Sequence, residues 1–419
     1  MKNIVYDLSK LTEKFFEMKQ LEKHDYWKSY FHLSELLEKG LDKQFESKYA
    51  FAEDKILSPK LHNEERYFKI NHLKWLENDF KTVFRSKRIL NEPPQELAEF
   101  AVYEFLVTIF KYYNNISAFK NNLNKTLNAD IGLHLIESLN LEMFLEYVRK
   151  HSPMEFKILN VYYRMYKALS QPDEINSYYQ FKKELSENIN LFDDDEKRNM
   201  YVCLGNTLLG NKDIRNLNIN TEYTWINKTS DKENVFTNSY GKVDLIKYSN
   251  SVSEAGFAFD HEFIELLKAK YLNKLNTLSL SGMELYTEIF LSYAKNNFAV
   301  ALEQSSKANF EIPVLKFNIK SMQARILYEF SDYDSFEYFL DTYRHFLTNS
   351  KQIPEIHINK YKKFGSYLNI LFRLKIQNRS DETMDKLKLL EQEILADEFV
   401  SRHWLLEKVD ELMKSCDNS

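Results

Sequence analysis

Eight glycines and seven prolines together make up under 4% of the 419 residues, against about 12% in average usage. A sandwich, a barrel or a doubly wound sheet needs a turn rich in these residues at roughly every tenth position. That punctuation is missing, which excludes mostly-β and α/β architectures. Cysteine is equally scarce: Cys203 and Cys416 stand far apart, with neither metal-ligand nor redox spacing. A reducing, cytoplasmic compartment fits. No apolar run is long enough to span a bilayer, because the greasiest window, Phe100 to Phe110, is short and interrupted by Glu104. Asp7, Lys10, Glu13 and Lys14 occupy positions where a secretory signal would be unbroken hydrocarbon, so no such signal is expected.

What the chain does have is aromatic surface. It holds 31 Phe, 27 Tyr and 4 Trp within an apolar fraction of 44%, enough to offset the entropy of ordering. Its 57 basic and 62 acidic residues leave a net charge of −5. These balances predict a large all-helical protein.

Apolar spacing divides the chain. Ile4, Leu8, Leu11, Phe15 and Met18 form one helical seam. Helices are expected over 25–39, ending at Gly40, over 42–52, and over about 63–90 with Ile70, Leu73, Leu76, Phe80 and Phe84 on one side. Pro93-Pro94 precedes a further helix, Gln95 to Tyr113, apolar nearly all round and therefore read as central. Residues 114–130 hold six asparagines and read as a loop, giving an N-terminal helical domain over 1–130.

From 131 onward the pattern repeats. Large apolar residues recur at i, i+3 and i+7 in Tyr162/Met165/Leu169, Tyr201/Leu204/Leu208, Tyr286/Ile289/Tyr293, Ile319/Met322/Ile326 and Tyr361/Phe364/Leu368, with an incomplete Leu135/Leu139 before them. The stripe openings differ by 39, 85, 33 and 42 residues, so a degenerate unit is expected near 243–275. Such a period, made of two helices, is the signature of an α-solenoid, in which neighbouring units complete each other's core. Repeats are assigned to 131–380 and a capping hairpin to 381–419, where Asp381 opens one helix and Trp404, Leu405, Val409 and Leu412 mark the other. The least helical stretch is 211–240, read as a loop or a poor helix around Tyr223–Trp225.

One unit carries more detail. Tyr286-x-x-Ile289-x-x-x-Tyr293, then Phe298-x-x-Ala301, Ala308 and Pro313, resembles the tetratricopeptide repeat, whose alanines let the two helices of a hairpin approach closely. Tyr201 to Leu208 and Tyr361 to Leu368 look like further first helices, with Gly205 and Gly365 in the family's small position. Phe290 and Gln323 depart from that position, and Phe336 stands where an alanine is expected. The whole chain is also similar to a group of long bacterial helical-repeat proteins. The resemblance implies a right-handed superhelix whose first helices line a concave groove. Positions one and five after each stripe opening would then face inward, giving Tyr163, Lys167, Asn206, Lys320, Lys362 and Ser366 as groove residues. Lys and Asn there resemble the clamp by which some such repeats hold an acidic peptide terminus.

Signatures of chemistry are few. There is no phosphate loop, no G-x-S-x-G elbow and no His-Glu-x-x-His. His261 and Glu265 share a helical face as two metal ligands could, but Asp260 reads better as the cap of that helix. Glu65, His72 and Asp79 recur every seven residues, about 10 Å apart, and form a solvated face. Cys203 reads as a small buried hydrophobe, and Asp193 to Glu196 as a cap. Lys81, Arg85, Lys87 and Arg88 would suit nucleic acid, yet they close a helix in a net acidic protein. The sequence therefore points to a non-enzymatic scaffold binding a protein or peptide, with no cofactor or metal. The alternatives are a nucleic-acid-associated adaptor or an enzyme whose site is assembled from distant helices.

Overall fold

Asparagine, serine and even phenylalanine do much of the helix termination that glycine performs elsewhere. The computed structural model describes residues 25–57, 64–84, 95–123, 131–210, 217–275, 280–350, 353–377 and 381–417. Among them the regular structure is helical and no strand occurs. Asn234, Phe259, Asn296 and Ser331 take left-handed φ values of 56° to 61° just past four helices, a conformation for which glycine is the usual choice. Asn140 and Asn218 accept hydrogen bonds from Met143 N and Thr221 N, both at 3.1 Å, and so start two others. A chain poor in glycine can thus still be cut into many short helices.

The helices form two compact units, 1–113 with 130–166 and 183–196, and 114–129 with 167–182 and 197–419. In chain order the first eight are α1 (Asp25–Glu38), α2 (Asp42–Leu57), α3 (Glu64–Phe84), α4 (Gln95–Leu123), α5 (Ile131–Ser138), α6 (Leu141–His151), α7 (Pro153–Ser170) and α8 (Ile175–Asn188). Helices α1, α2 and α3 of the first unit pack on one another around Leu33, Phe45, Leu73 and Phe80, with the Phe45 and Phe80 rings stacked at 4.4 Å. Gly40, at φ +70°, closes α1 as expected.

The remaining helices are α9 (Asp194–Gly210), α10 (Ile219–Lys232), α11 (Leu245–Phe257), α12 (His261–Tyr271), α13 (Leu280–Ala294), α14 (Phe298–Lys307), α15 (Pro313–Phe330), α16 (Tyr333–Asn349), α17 (Glu355–Ile376), α18 (Asp381–Ala396) and α19 (Arg402–Asp417). Helices α11 and α12 occupy the place of the degenerate unit. From α10 to α19, nearly every helix packs on the next, and α11 also on α13 and α17 on α19. Helix α11 departs from nearest-neighbour packing by reaching α15 as well. Its sequence explains this: Ser249, Ser251, Ser253, Ala255 and Gly256 are buried and small, so neighbours approach it from several sides.

The apolar stripes are core. Every member of the five complete stripes is buried except Tyr361, which is half-buried. Four expectations need correction. Residues 114–123 are not loop but the continuation of α4, and 219–232 are a full helix capped by Asn218. Asparagine lowers helix propensity without forbidding helix, and at a cap it favours one. Leu135 and Leu139 are exposed instead of buried. Helix α4 is also not apolar-packed all round, since Val102 and Phe105 are exposed while Leu106, Val107 and Phe110 are buried. The seam at 4–18 and the cations Arg85, Lys87 and Arg88 lie outside the described residues.

Candidate functional site

The second unit places a half-buried acid, one of its oxygens sealed from solvent, and a buried base within electrostatic reach of each other. Glu254 lies on α11, among the small residues that draw its neighbours close. Arg325 lies on α15, within an uninterrupted run of buried residues from Ser321 to Tyr328. The guanidinium sits 3.9 Å from the Phe257 ring centre and 5.2 Å from that of Trp404, and Nη2 donates to Ser401 Oγ at 3.1 Å. Two aromatic faces therefore replace much of the water that Arg325 gave up. Its Nε is buried with no hydrogen-bond partner. Burial depresses the guanidinium, opposed by the nearby Tyr293 hydroxyl and by Glu254.

Glu254 is less well served. Among the described residues its carboxylate forms no ion pair, and Oε2 is sealed from solvent without a hydrogen-bond partner. Desolvation raises this carboxyl to about 7, and Arg325 only partly opposes the rise. Tyrosines surround it. Burial first, and the acid second, push up the phenols of Tyr223 on α10 and Tyr361 on α17, the latter to about 12. Tyr286 on α13 is raised by burial, and more weakly by Glu254. Its hydroxyl accepts from Asn318 Nδ2 at 2.9 Å, and Asn318 also donates to Ser253 Oγ at 3.2 Å. Chemically the arrangement can hold a proton on a carboxyl near neutral pH and change local charge when that proton leaves.

Neither residue stood out in the sequence. Two signals were present: an acid flanked by Ser251, Ser253, Ala255 and Gly256 in one helix, and an arginine flanked by Ala324 and Ile326 in a stripe helix. Helical geometry adds a third. Asn318 and Arg325 are seven residues apart and share one face of α15, whereas Lys320 is about 200° round from Asn318.

The six groove residues scatter. Tyr163 is buried, its hydroxyl donating to Glu142 Oε1 at 3.0 Å. Lys167 is half-buried near the end of α7. Asn206 on α9 donates to Asn114 Oδ1 at 3.2 Å. Lys320 is half-buried against α16, with Nζ 3.1 Å from Gln323 Oε1 and 5.6 Å from the Phe339 ring centre. Lys362 is exposed and has no polar partner among the described residues. Ser366 Oγ donates to the Lys362 carbonyl at 3.1 Å, the one hydrogen bond joining any two of the six among the described residues. Beside Lys362, at the start of α17, Glu355, Ile356, Asn359, Lys360, Lys363 and Glu398 line a shallow cleft of about 420 Å³.

The other candidates are occupied structurally. Asp260 caps α12 by accepting from Phe263 N at 3.1 Å, and Glu265 pairs with Lys295 at 2.6 Å. Asp193 caps α9 through Glu196 N at 2.8 Å. In the first unit Glu196 is buried, accepting from Lys111 Nζ and the Tyr162 hydroxyl, both at 2.9 Å. Cys203 is buried within α9, and Cys416 is half-buried in α19. Among the described residues no cluster of His, Cys, Asp and Glu could hold a metal, and no helix is long and apolar enough to cross a membrane. Comparison with protein-family models, curated proteins and solved structures finds no match.

Proposed function

We propose that this chain is a non-enzymatic helical-repeat scaffold, tetratricopeptide-like over 131–380, that binds a protein or peptide segment carrying carboxylates. The observation that carries the reading is the cleft at the start of α17. It presents an amide, an isoleucine and two lysines, with Lys362 exposed and unpartnered alongside. Lys363 is paired with Asp397, outside the lining, and Lys360 lies 4.0 Å from the cleft's own Glu398, so acids of this chain hold both of the cleft's lysines. An acidic segment would take their place and engage Lys362 in addition, which is the chemistry of a carboxylate clamp. The regular succession of helices supports a solenoid of antiparallel pairs, with α11 as the irregular centre to which α15 returns. Lys320, turned toward α16, contributes packing in this reading rather than contact with the partner.

The test is affinity capture from the native source, identification of the partner by mass spectrometry, and reconstitution with the purified partner. Reconstituted binding that weakens with added salt and with Lys362→Glu supports the reading. A partner that binds equally well to the Lys362→Glu variant overturns the assignment to this cleft.

A further inference from the structure

Glu254 differs from the other buried acids of the protein. Glu196 and Glu155 are both buried or nearly so, yet each is held by a cation and a tyrosine hydroxyl, Lys111 with Tyr162 for one and Arg66 with Tyr67 for the other. Glu254 has neither. It sits instead on α11, which packs on α10, α12, α13 and α15, with one oxygen sealed and unpartnered. An ionised carboxylate in such a seat lacks the compensation that buried charges require, whereas the neutral acid fits it.

We propose that Glu254 is a proton-operated latch: protonated, it seats α11 against α10, α13 and α15, and deprotonated, its carboxylate leaves the seat and α11 loosens from α15. The groups on neighbouring helices that interact with it electrostatically are Tyr223 on α10, Tyr286 on α13, Arg325 on α15 and Tyr361 on α17. Helix α12 contributes no charged group that the carboxyl feels. The phenols all stay protonated well above neutral pH, so among the described residues Arg325 is the one formal charge that would hold the ionised carboxylate in its seat. That guanidinium is already committed to Phe257, Trp404 and Ser401, and it forms no ion pair with Glu254. The partial exposure of the Glu254 residue supplies a route by which the ionised carboxylate reaches water. Glu254 thus acts near neutral pH, where its carboxyl titrates.

The sign of the effect follows from proton linkage. The folded chain keeps this proton up to about pH 7, while the unfolded chain loses it near the ordinary carboxylate value of 4.5. Relative to a variant without the carboxyl, the wild type therefore loses stability as pH rises through that interval and changes no further above it. Thermal melts of the full chain and of Glu254→Gln, from about pH 4 to about pH 9, read this directly. The expected result is a gap in Tm that opens by roughly 5 °C across the interval, in favour of Gln at the alkaline end, and then stays level. A gap that does not change with pH overturns the proposal. Hydrogen exchange on the wild type provides the second measurement should the variant not fold. After correction for the intrinsic base dependence, α11 amides should lose protection between pH 5 and pH 8, roughly tenfold more than those of α18. Equal loss in the two helices overturns the latch.

Discussion

A Cβ built on Gly256 of α11 would lie 2.5 Å from Cδ1 of Phe290 on α13, closer than real Cβ atoms come to a neighbour. In the repeat alignment that we propose, Phe290 stands at the position expected to be small. The bulk has moved to one side of the contact and the absent side chain to the other. At Gly205 and Gly365 the arrangement has the familiar sense: Tyr223 and Tyr343 lie over the glycines, with their hydroxyls donating to the carbonyls of Gly205 and Tyr361 at 2.7 and 3.2 Å.

Gly256→Ala should therefore destabilise the second unit by about 1–3 kcal/mol through overpacking, less the ~1 kcal/mol that alanine gains as a helix former. The decisive measurement is a double-mutant cycle in denaturant. With Phe290→Leu in the background, the cost of Gly256→Ala should shrink by at least about 0.5 kcal/mol, the usual mark of residues in contact. Strict additivity would mean that the two side chains do not compete for the same space.

Helix class and the buried stripes were legible, because apolar period and helix caps are local properties of the chain. Tyr286, Ile289 and Tyr293 needed only their own spacing to be recognised as core. The Glu254–Arg325 centre was not legible. Its members lie 71 positions apart in the sequence and meet only because α11 packs on α15, a contact that nearest-neighbour stacking does not foresee. Lys320 shows the same limit from the other side. A register borrowed from regular repeats aimed it at a groove, while Phe339 of α16 draws it inward and Gln323, one turn on, accepts from its ammonium.

Ala301 and Ala308 should respond unequally to leucine. Ala301 is fully buried within α14, so Ala301→Leu should cost about 1–3 kcal/mol. Ala308 is the half-buried residue that ends the helix, in extended backbone. Its leucine variant should stay within about 0.5 kcal/mol of the wild type, as expected of sites away from the core. Urea melts of both variants check this, and equal losses would put Ala308 inside the hairpin crossing.

Lys247 gives a prediction on the alkaline side. Its ammonium is pushed down to about 8, first by burial and then by Arg198, although Nζ donates to the Phe236 carbonyl at 2.8 Å. The folded chain thus releases this proton before the unfolded chain, whose lysine holds it to 10.5. Between those values the unfolded state binds more protons, so stability rises with pH. Wild type should gain on Lys247→Met from about pH 8 to about pH 10 in chemical melts. A constant difference over that range would show that Lys247 keeps its charge in the fold.

Arg325 can be separated into charge and volume. Arg325→Ala removes a side chain packed between Phe257 and Trp404 and should cost about 2–5 kcal/mol, mostly as cavity. Arg325→Met keeps much of the volume and relieves the burial of a cation, so it should cost under about 1.5 kcal/mol. Either change removes the charge that holds the Glu254 carboxyl down, and the pH at which Glu254 titrates should climb. The pH-dependent part of the melting curve would follow it upward. An unmoved titration in Arg325→Met would show that the two groups do not sense each other.

Lys362 tests the scaffold reading at the surface. It is exposed, its ammonium has no polar partner among the described residues, and it adjoins the cleft lined by Asn359, Lys360 and Lys363. Because a lone surface charge contributes little to stability, Lys362→Glu should shift the melt by no more than about 0.5 kcal/mol. Against a reconstituted acidic partner the same exchange turns an attraction into a repulsion, and the affinity should fall about tenfold or more, with the larger loss at low salt. Lys320→Glu supplies the contrast. Its side chain is half-buried against Phe339, and desolvation already lowers its ammonium, so a carboxylate there should cost stability while leaving affinity per folded molecule unchanged. Titration calorimetry on folded protein separates the two outcomes. Should Lys320→Glu weaken binding while Lys362→Glu does not, the partner lies along α15 and α16, and the cleft at α17 has no part in it.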